Sequence, residues 1–563
     1  MIDLHTHSTA SDGTYTPTQL IDYAVSKGLT AIALTDHDTT DGIEEAVLRA
    51  QYYHNQGTDI KVIPGIEFST DYFGKDIHIV GLYVDYQGEF LTKRLSYFKL
   101  SRTKRNLEMC QKLTSLGMPI DYEELCAAYP DGVITRAHYA KFMLKKGYVK
   151  SVKEAFERHI GDGMVAHVRR KNISPMRAVE IIRRAGGIPV LAHPVLYGMS
   201  KDRLDDLVKR LTGAGLMGIE AVYSTYTPSD ERDIRTLASK YNLLISGGSD
   251  FHGTNKPDID LGTGRGKLYL DDSILVDITS KLSDLPKQNE NYRLTKALLT
   301  DLDGTLLKDD KTISSYTYDV LSRWCNEGHY LALCSGRDIA SVNRVLKDLK
   351  LDLLPNTFTI GFNGGVIFNP HNNEYIHRIA LKIEDAEYLY NEARKVGIYF
   401  QTYDDDHFVV PYVGEETLYY TKVIKTPYVV DEKLFTSLSQ PPCKCLMIEL
   451  HDHEKIDSFV NKMTPWAKEH GITLLYSNPW YVEVIPSCSG KGKSFGILRD
   501  YLNIPGLMAV GAGDEQNDIS LLEASDIAIA MKNGIDAIKD VASIVTDYSS
   551  DEDGLAKVLE GII

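Results

Sequence analysis

The chain has 563 residues, 43% of them hydrophobic and 25% charged, so it is too long for one ordinary core and points to about three or four compact units of roughly 100–200 residues each. A net charge of −16 argues against coating long nucleic acid, a mode that needs a broad basic surface to displace counterions. Seven cysteines at irregular spacing suit reduced thiols, and with no apolar run of about 18 residues and no leader-like stretch after Met1, a cytoplasmic protein without a membrane span is expected.

Short β-rich runs ending in polar residues alternate with amphipathic stretches, the α/β pattern, once from residue 2 to about 270 and again from about 297 to the C terminus. At the start, His5 and His7 stand at i and i+2 on a predicted strand, so both rings leave one face. Such a pair alone says little, and His451-Asp452-His453 is read as incidental. Other donors fall where predicted strands stop: residues 31–35 run into Asp36-His37, residues 61–66 into Glu67, residues 190–192 into His193, and residues 243–249 into Asp250-Phe251-His252, while His78 opens the strand 79–82. Donors gathered at strand ends are what a barrel of parallel strands presents on its carboxyl face. Imidazoles and carboxylates suit manganese, zinc or iron, and so many of them imply several metals that bridge a phosphate and activate water.

The set His5-x-His7, Asp12, Thr35-Asp36-His37, Gly65-Ile66-Glu67, His78, Ala192-His193-Pro194 and Ser249-Asp250-Phe251-His252 resembles the polymerase and histidinol phosphatase (PHP) superfamily over residues 1 to about 270. The resemblance implies a distorted seven-stranded β/α barrel with up to three Mn²⁺, Zn²⁺ or Fe²⁺ ions. It implies one held by His5, His7, Glu67 and Asp250, a second by Glu67, His78 and His193, and a third by Asp12, His37 and His252.

From about residue 89 to 165 the strand pattern gives way to helical periodicity rich in Lys and Arg, read as a helical insertion. Such a run suits a solvated helix face or a phosphate-recognition surface. Its stretch Val133-Ile134-Thr135-Arg136-Ala137-His138 is similar to the branch of nucleoside 3′,5′-bisphosphate phosphatases and 5′→3′ exoribonucleases, although the branch usually carries Gly-Arg-Pro-His where this chain has Thr-Arg-Ala-His. That likeness implies that Arg136, His138, Arg102 and Arg105 bind a second phosphate. A guanidinium fork opposite a metal cluster would measure the spacing between two phosphates.

The polar stretch 283–291 carries one proline and little apolar material, so a linker is placed at 271–295, between domains spanning 1–270 and 296–563. Beyond it, residues 297–300 read as a buried strand delivering Asp301-Leu302-Asp303-Gly304-Thr305. Two aspartates at i and i+2 can divide the labour: one attacks phosphorus, while the other protonates the leaving oxygen and then deprotonates water. A second strand ends at Ser335-Gly336-Arg337, Lys491 lies in Ser489-Gly490-Lys491-Gly492, and residues 507–510 lead into Gly511-Ala512-Gly513-Asp514-Glu515-Gln516-Asn517-Asp518, acids suited to Mg²⁺.

In this order the motifs resemble the haloacid dehalogenase (HAD) superfamily, specifically Cof-like phosphatases. The likeness implies a Rossmann-like core with an α/β cap at about 380–480. It makes Asp301 the nucleophile, Asp303 the general acid/base, Ser335 and Lys491 phosphate ligands, and Asp514 with Asp301 the Mg²⁺ carboxylates, supported by Asn517 and Asp518, with Asp303 also counted among the metal residues. The expectation is a bifunctional metal-dependent phosphohydrolase acting on small phosphorylated substrates: nucleoside bisphosphates or short 5′-phosphorylated RNA at the first site, sugar or cofactor phosphates at the second. Its alternatives are a histidinol-phosphate-type first domain, or one domain kept as a non-catalytic sensor.

Overall fold

A computed structural model of the chain describes residues 1–129, 134, 136–161, 164–168, 173–286, 289, 292–423, 426–478 and 480–562. It divides into two compact units, Met1–Leu294 and Thr295–Ile563.

Among the described residues, the first unit is built on a seven-stranded sheet in sequential order: β1 Ile2–Thr6, β2 Ala31–Leu34, β3 Lys61–Tyr72, β4 Lys75–Leu82, β5 Ile188–Leu191, β6 Gly218–Tyr223 and β7 Leu244–Gly248. The sheet curls until its edges meet, with the His7 amide donating to the Phe251 carbonyl at 3.0 Å and the Asp250 amide to the His5 carbonyl at 2.8 Å. Closure demands a glycine, because a Cβ on Gly248 would lie 2.5 Å from the His5 backbone nitrogen. Ile2, Leu4, Ala33, Ile63, Val80, Val190 and Ala192 join one core cluster. A second lies under the helices Pro17–Ser26 and Ile43–His54.

The expected barrel of parallel strands is corrected at β4, which runs antiparallel to both β3 and β5. The cause is local. Only Phe73 and Gly74 separate β3 from β4, both with positive φ (51° and 77°), a two-residue hairpin turn, whereas a parallel return needs a crossover of about a dozen residues. The start of β4 therefore lies at the same end of the barrel as the carboxyl ends of its neighbours, and His78 is delivered there.

The helical insertion is present as helices Glu89–Ser115, Tyr122–Ala128, Arg136–Lys145 and Val152–Ala155, closed by a π-helical turn Phe156–Ile160. Met109, Leu113, Leu125, Tyr139, Phe142, Met143 and Ile160 give it a core of its own. The segment expected as linker starts instead with a helix, Asp272–Ser283, whose apolar Ile278 is fully buried against the barrel with Leu268 and Leu270. Farther on, the Tyr292 hydroxyl donates to the Ala214 carbonyl at 2.8 Å. Lys287, Gln288, Glu290 and Asn291 of that segment lie outside the described residues.

In the second unit β8 Lys296–Thr300, β9 Tyr330–Cys334 and β10 Thr357–Gly361 form a sheet with β11 Val366–Asn369 and β12 Glu374–Arg378. The cap follows, with β13 Tyr399–Tyr403, β14 Phe408–Val410, β15 Tyr428–Val430, β16 Cys445–Ile448, β17 Ile472–Asn478 and β18 Tyr481–Pro486. The chain then returns to the main sheet as β19 Met508–Gly513, β20 Ile527–Ala530 and β21 Ile544–Val545. The main sheet has the order β12-β11-β10-β9-β8-β19-β20-β21, parallel except at β11 and β12. Such sheets place ligands outside the carboxyl ends of their strands. The cap sheet, β15-β14-β13-β16-β18-β17, buries Phe400, Met447, Val482 and Val484 together with apolar residues of helices Ile383–Lys395 and His453–Glu469.

Gly248→Ala is expected to cost the first unit about 1–3 kcal/mol by overpacking, read by calorimetry as a lowered first-unit transition, with the second unit's transition unchanged.

Candidate functional site

The expected donors of the first unit converge on one buried carboxylate. Glu67 Oε1 lies 2.9 Å from His78 Nδ1 and 3.1 Å from His193 Nε2, and its Oε2 lies 3.1 Å from His37 Nδ1 and 3.3 Å from Nε2 of both His5 and His7. Asp250 Oδ1 stands 3.4 Å from His7 Nε2, 3.3 Å from His252 Nδ1 and 3.8 Å from His5 Nε2. Asp12 Oδ1 meets His252 Nε2 at 3.2 Å. Three overlapping groups have ligand atoms within 4.8 Å of one another: His5, His7 and Glu67; His37, Glu67 and His78; and His7, Asp12, His37 and His252. His37 also joins Glu67 and His78, and His193, expected with that pair, meets Glu67 Oε1, the oxygen that His78 faces, at 3.1 Å.

The donor set fits cations. His5 Nε2, both ring nitrogens of His7 and His37 Nδ1 are buried without a hydrogen-bond partner among the described residues, although carboxylate oxygens surround them. Burial opposes charge on these rings, but Glu220, Glu67 and Asp250 outweigh it and raise the His5 pKa well above its usual range. His7 is likewise pushed up to about 9 by Asp250 and Glu67 against its burial, and His78 to about 10 by Glu67 and Asp76. For His37 burial wins and lowers the ring to about 4. In turn the imidazoles overcome burial to hold Glu67, Asp12 and Asp250 well below the usual carboxylate range. The cluster attracts positive charge, which His5, His7 and His78 answer with protons that bound metals would displace.

A supporting layer orients these donors. Glu220, on β6, faces His5 Nδ1 at 2.8 Å and accepts from the His193 amide at 2.7 Å. Asp250 Oδ2, turned away from the rings, accepts from the Tyr223 hydroxyl at 2.5 Å and from Lys256 Nζ at 2.6 Å. Asp36 points at Ser8 and Ser11, folding the loop that carries Asp12. None of these roles was assigned from sequence. For Glu220 a signal existed: an acidic residue inside the wholly buried strand Gly218–Tyr223.

The residues expected to bind a second phosphate are less tightly gathered. Arg136 opens the helix Arg136–Lys145, His138 stacks on Tyr129 with ring centroids 4.6 Å apart, and Arg105 donates to Asn106 Oδ1 at 2.5 Å. The Arg102 side chain lies outside the described residues. Lys141, on the helix of Arg136, donates to Asn255 Oδ1 at 3.0 Å, and Asn255 Nδ2 donates to the Asp12 carbonyl at 2.6 Å. The insertion is thereby tied to the loop of a candidate ligand.

In the second unit Lys491 Nζ, fully buried, lies 2.6 Å from both Asp301 Oδ1 and Asp518 Oδ1. Asp301, Asp514 and Asp518 converge as a candidate cation site. Gly304 lets the turn close on it: with φ +77° it brings its backbone to where a Cβ would stand 2.2 Å from Asp514 Oδ2. Thr305 Oγ1 donates to Asp514 Oδ1 at 2.8 Å. Asp303 receives Arg337 at 2.6 Å and Lys311 at 2.7 Å, and these cations lower its pKa against the effect of burial. Ser335 Oγ accepts from the Arg337 amide at 3.3 Å, and Asn517 Nδ2 donates to Asn363 Oδ1 at the same distance.

Comparison with known proteins bears on both units. A family model described as "PHP domain" matches residues 3–166, and one described as "haloacid dehalogenase-like hydrolase" matches residues 298–559. A 5′-3′ exoribonuclease of Haemophilus influenzae is 38% identical over 250 residues, covering 44% of this chain and 89% of the relative. A 3′,5′-nucleoside bisphosphate phosphatase of Chromobacterium violaceum is 33% identical, covering 46% and 90%. A 5-amino-6-(5-phospho-D-ribitylamino)uracil phosphatase of Bacillus subtilis is 29% identical, covering 46% and 94%.

Burial, reinforced by Asp518 and Asp514 and only partly offset by Lys491, raises Asp301 to about 8 from its usual 3.8, and burial lifts Asp514 to about 6. Raised carboxyls contribute stability that is complete below their usual pKa and is lost as pH rises through the folded value. A cation must displace the Asp301 proton below about pH 8, so the Mg²⁺-induced rise in the second unit's melting temperature is expected to be larger at about pH 9 than at about pH 6. Equal rises in calorimetry at the two pH values would contradict this.

Proposed function

Because the chain belongs to the PHP family in its first part and to the haloacid dehalogenase-like hydrolases in its second, and is a phosphoric ester hydrolase, we propose that it carries two separate phosphoesterase sites with different substrates. The first takes nucleoside 3′,5′-bisphosphates or the 5′ end of short RNA. The observation that carries this reading is the Glu67 cluster, whose unpartnered imidazole nitrogens face shared carboxylate oxygens. His5, His7, Glu67, Asp250, His78, His193, Asp12, His37 and His252 would hold up to three ions. Bound Mn²⁺, Zn²⁺ or Fe²⁺ supplies Lewis acidity and an activated water. The protein fixes the donors through Glu220, Tyr223 and Lys256, and Arg136 with His138 would grip the phosphate that is not cleaved. Relatives named as an exoribonuclease and as a bisphosphate phosphatase support this substrate class.

At the second site Asp301, Asp514 and Asp518 would hold Mg²⁺, which offsets phosphate charge. An oxygen of Asp301 bonds to phosphorus as the bond to the leaving oxygen breaks, and Asp303 gives that oxygen its proton. Asp303 then takes a proton from water, whose oxygen bonds to phosphorus and frees Asp301 and inorganic phosphate. Lys491, 2.6 Å from Asp301, and Ser335 neutralise charge on the phosphoryl oxygens. To act as the acid, Asp303 must shed its contacts with Arg337 and Lys311 as substrate arrives.

Phosphate release from 3′,5′-bisphosphoadenosine with Mn²⁺ tests the assignment. His7→Ala is expected to abolish it by on the order of 10³-fold, with Asp301→Asn near wild type, and the pattern should invert for Mg²⁺-dependent hydrolysis of an aryl phosphate. Loss of both activities in either variant would refute the two-site reading, and activity on histidinol phosphate alone would replace the first substrate class. Arg136→Ala should lower kcat/KM for the bisphosphate roughly tenfold more than for an aryl phosphate cleaved at the same site; equal losses would remove Arg136 from phosphate recognition.

A further inference from the structure

Among the described residues, the first unit holds a cavity of about 510 Å³ whose lining includes none of the cluster's donors, a volume that suits a small organic ligand. Tyr72, Phe73 and Lys75 line it from the hairpin between β3 and β4, and Asp202, Arg203 and Asp206 from the helix Lys201–Gly213. The hairpin is strained. Two-residue turns with both φ positive favour Asn-Gly, because a bulkier side chain is crowded there. This chain puts Phe73 in the first position, at φ 51°, and leaves it 62% exposed. A large residue that is both strained and uncovered serves neither the turn nor a core, and such positions mark function. Its ring is also held in place. The centroid lies 4.6 Å from that of Tyr72, edge to face, and the Tyr72 hydroxyl accepts from Nη1 of the buried Arg210 at 3.1 Å.

The cavity adjoins one flank of the metal-donor cluster. Lys75 Nζ donates to the Tyr197 carbonyl at 3.0 Å. Tyr197 in turn stands against both donors on that flank: its hydroxyl accepts from the His78 amide at 3.2 Å, and its ring lies edge to face with that of His193, centroids 5.8 Å apart. The helix of Arg136 meets the other flank, where Lys141 reaches Asn255 and Asn255 reaches the Asp12 carbonyl. A substrate whose uncut phosphate is held beside that helix therefore crosses the cluster and leaves it toward Tyr197 and the cavity.

We propose that this cavity is a base-binding subsite for the strand 3′ to the cut, with Phe73 as its stacking platform. Stacking on an aromatic ring accepts any sequence, because every base has a π face. Asp202 and Asp206 accept from exocyclic amino groups, and Lys75 and Arg203 meet the phosphates that join the released nucleotides. Lys75 stands three residues before His78, roughly 10 Å along a strand, so one or two nucleotides beyond the scissile phosphate reach the cavity. A nucleoside bisphosphate leaves it empty, and RNA fills it. This rests on the first site being a metal-dependent phosphoesterase that holds an uncut phosphate near Arg136.

The test uses the full chain with Mn²⁺ and compares 5′-phosphorylated triadenylate with 3′,5′-bisphosphoadenosine. Wild type should show a kcat/KM about tenfold or more higher on the trimer, and should lose that advantage on a trimer whose second and third residues lack bases. Phe73→Asn should cut kcat/KM for the trimer about tenfold, chiefly through KM, and for the bisphosphate less than about threefold. Asn suits the turn, so the melting temperature of the first unit should not fall. Arg203→Ala should show the same difference between the two substrates. Equal losses on both would mean that the hairpin acts only by placing His78, and would overturn the proposal. So would a wild type that does not favour the trimer or is indifferent to its bases. Cleavage of either substrate that persists in His7→Ala would instead reject the first-site reading on which the proposal stands.

Discussion

A carboxylate taken out of water is tolerated only among compensating positive charge. Glu67 is 1% exposed and has five imidazoles within 3.3 Å of its two oxygens. Much of the first unit serves to bring those rings together, since they come from β1, the end of β2, β4 and the end of β5. The closed sheet gives the ring of strand ends on which this convergence depends, and the closure in turn depends on the bare backbone of Gly248 beside His5. The second unit solves a related problem with the opposite sign of centre. A fully buried ammonium, Lys491, sits between Asp301 and Asp518 and keeps crowded carboxylates compatible.

Most candidate donors were visible in the sequence because they stand where a short apolar run stops, and strand ends are where an α/β fold exposes chemistry, whereas Asp12 lies in a loop and His78 opens its strand. The two-unit division was legible from the recurrence of the pattern. What escaped has a common cause in distance along the chain. Glu220 meets His5 across 215 positions, Lys444 meets Gly336 across 108, and Glu483 meets Asn363 across 120. No local period announces such contacts. The helix Asp272–Ser283 was hidden for another reason: the polar stretch that follows it reads as linker, while the apolar stripe that holds it to the barrel is short.

The two sites also differ in how they are covered. The helical insertion has its own core and is tied to the Asp12 loop by Lys141 and Asn255. The cap of the second unit reaches its phosphate loops through a buried ion pair, Lys444 with Glu483, and through Asn363. These polar contacts stand beside a buried apolar cluster that joins Phe362 and Val366 to Leu446 and Ile448 of the cap sheet.

The hairpin at Phe73-Gly74 makes one metal donor depend on a turn. After β2, β5 and β7 the donors His37, His193 and Asp250 follow the strand, so loops beyond them can vary in length without disturbing the register behind. In β4 the order is reversed: the turn comes first and His78 four residues after it. A hairpin's turn length sets its pairing register, and a slip of one residue moves every side chain of a strand to the opposite face. An insertion that most surface turns would absorb would here aim His78 out of the barrel, so this exposed turn is held to a fixed length by a site it does not touch.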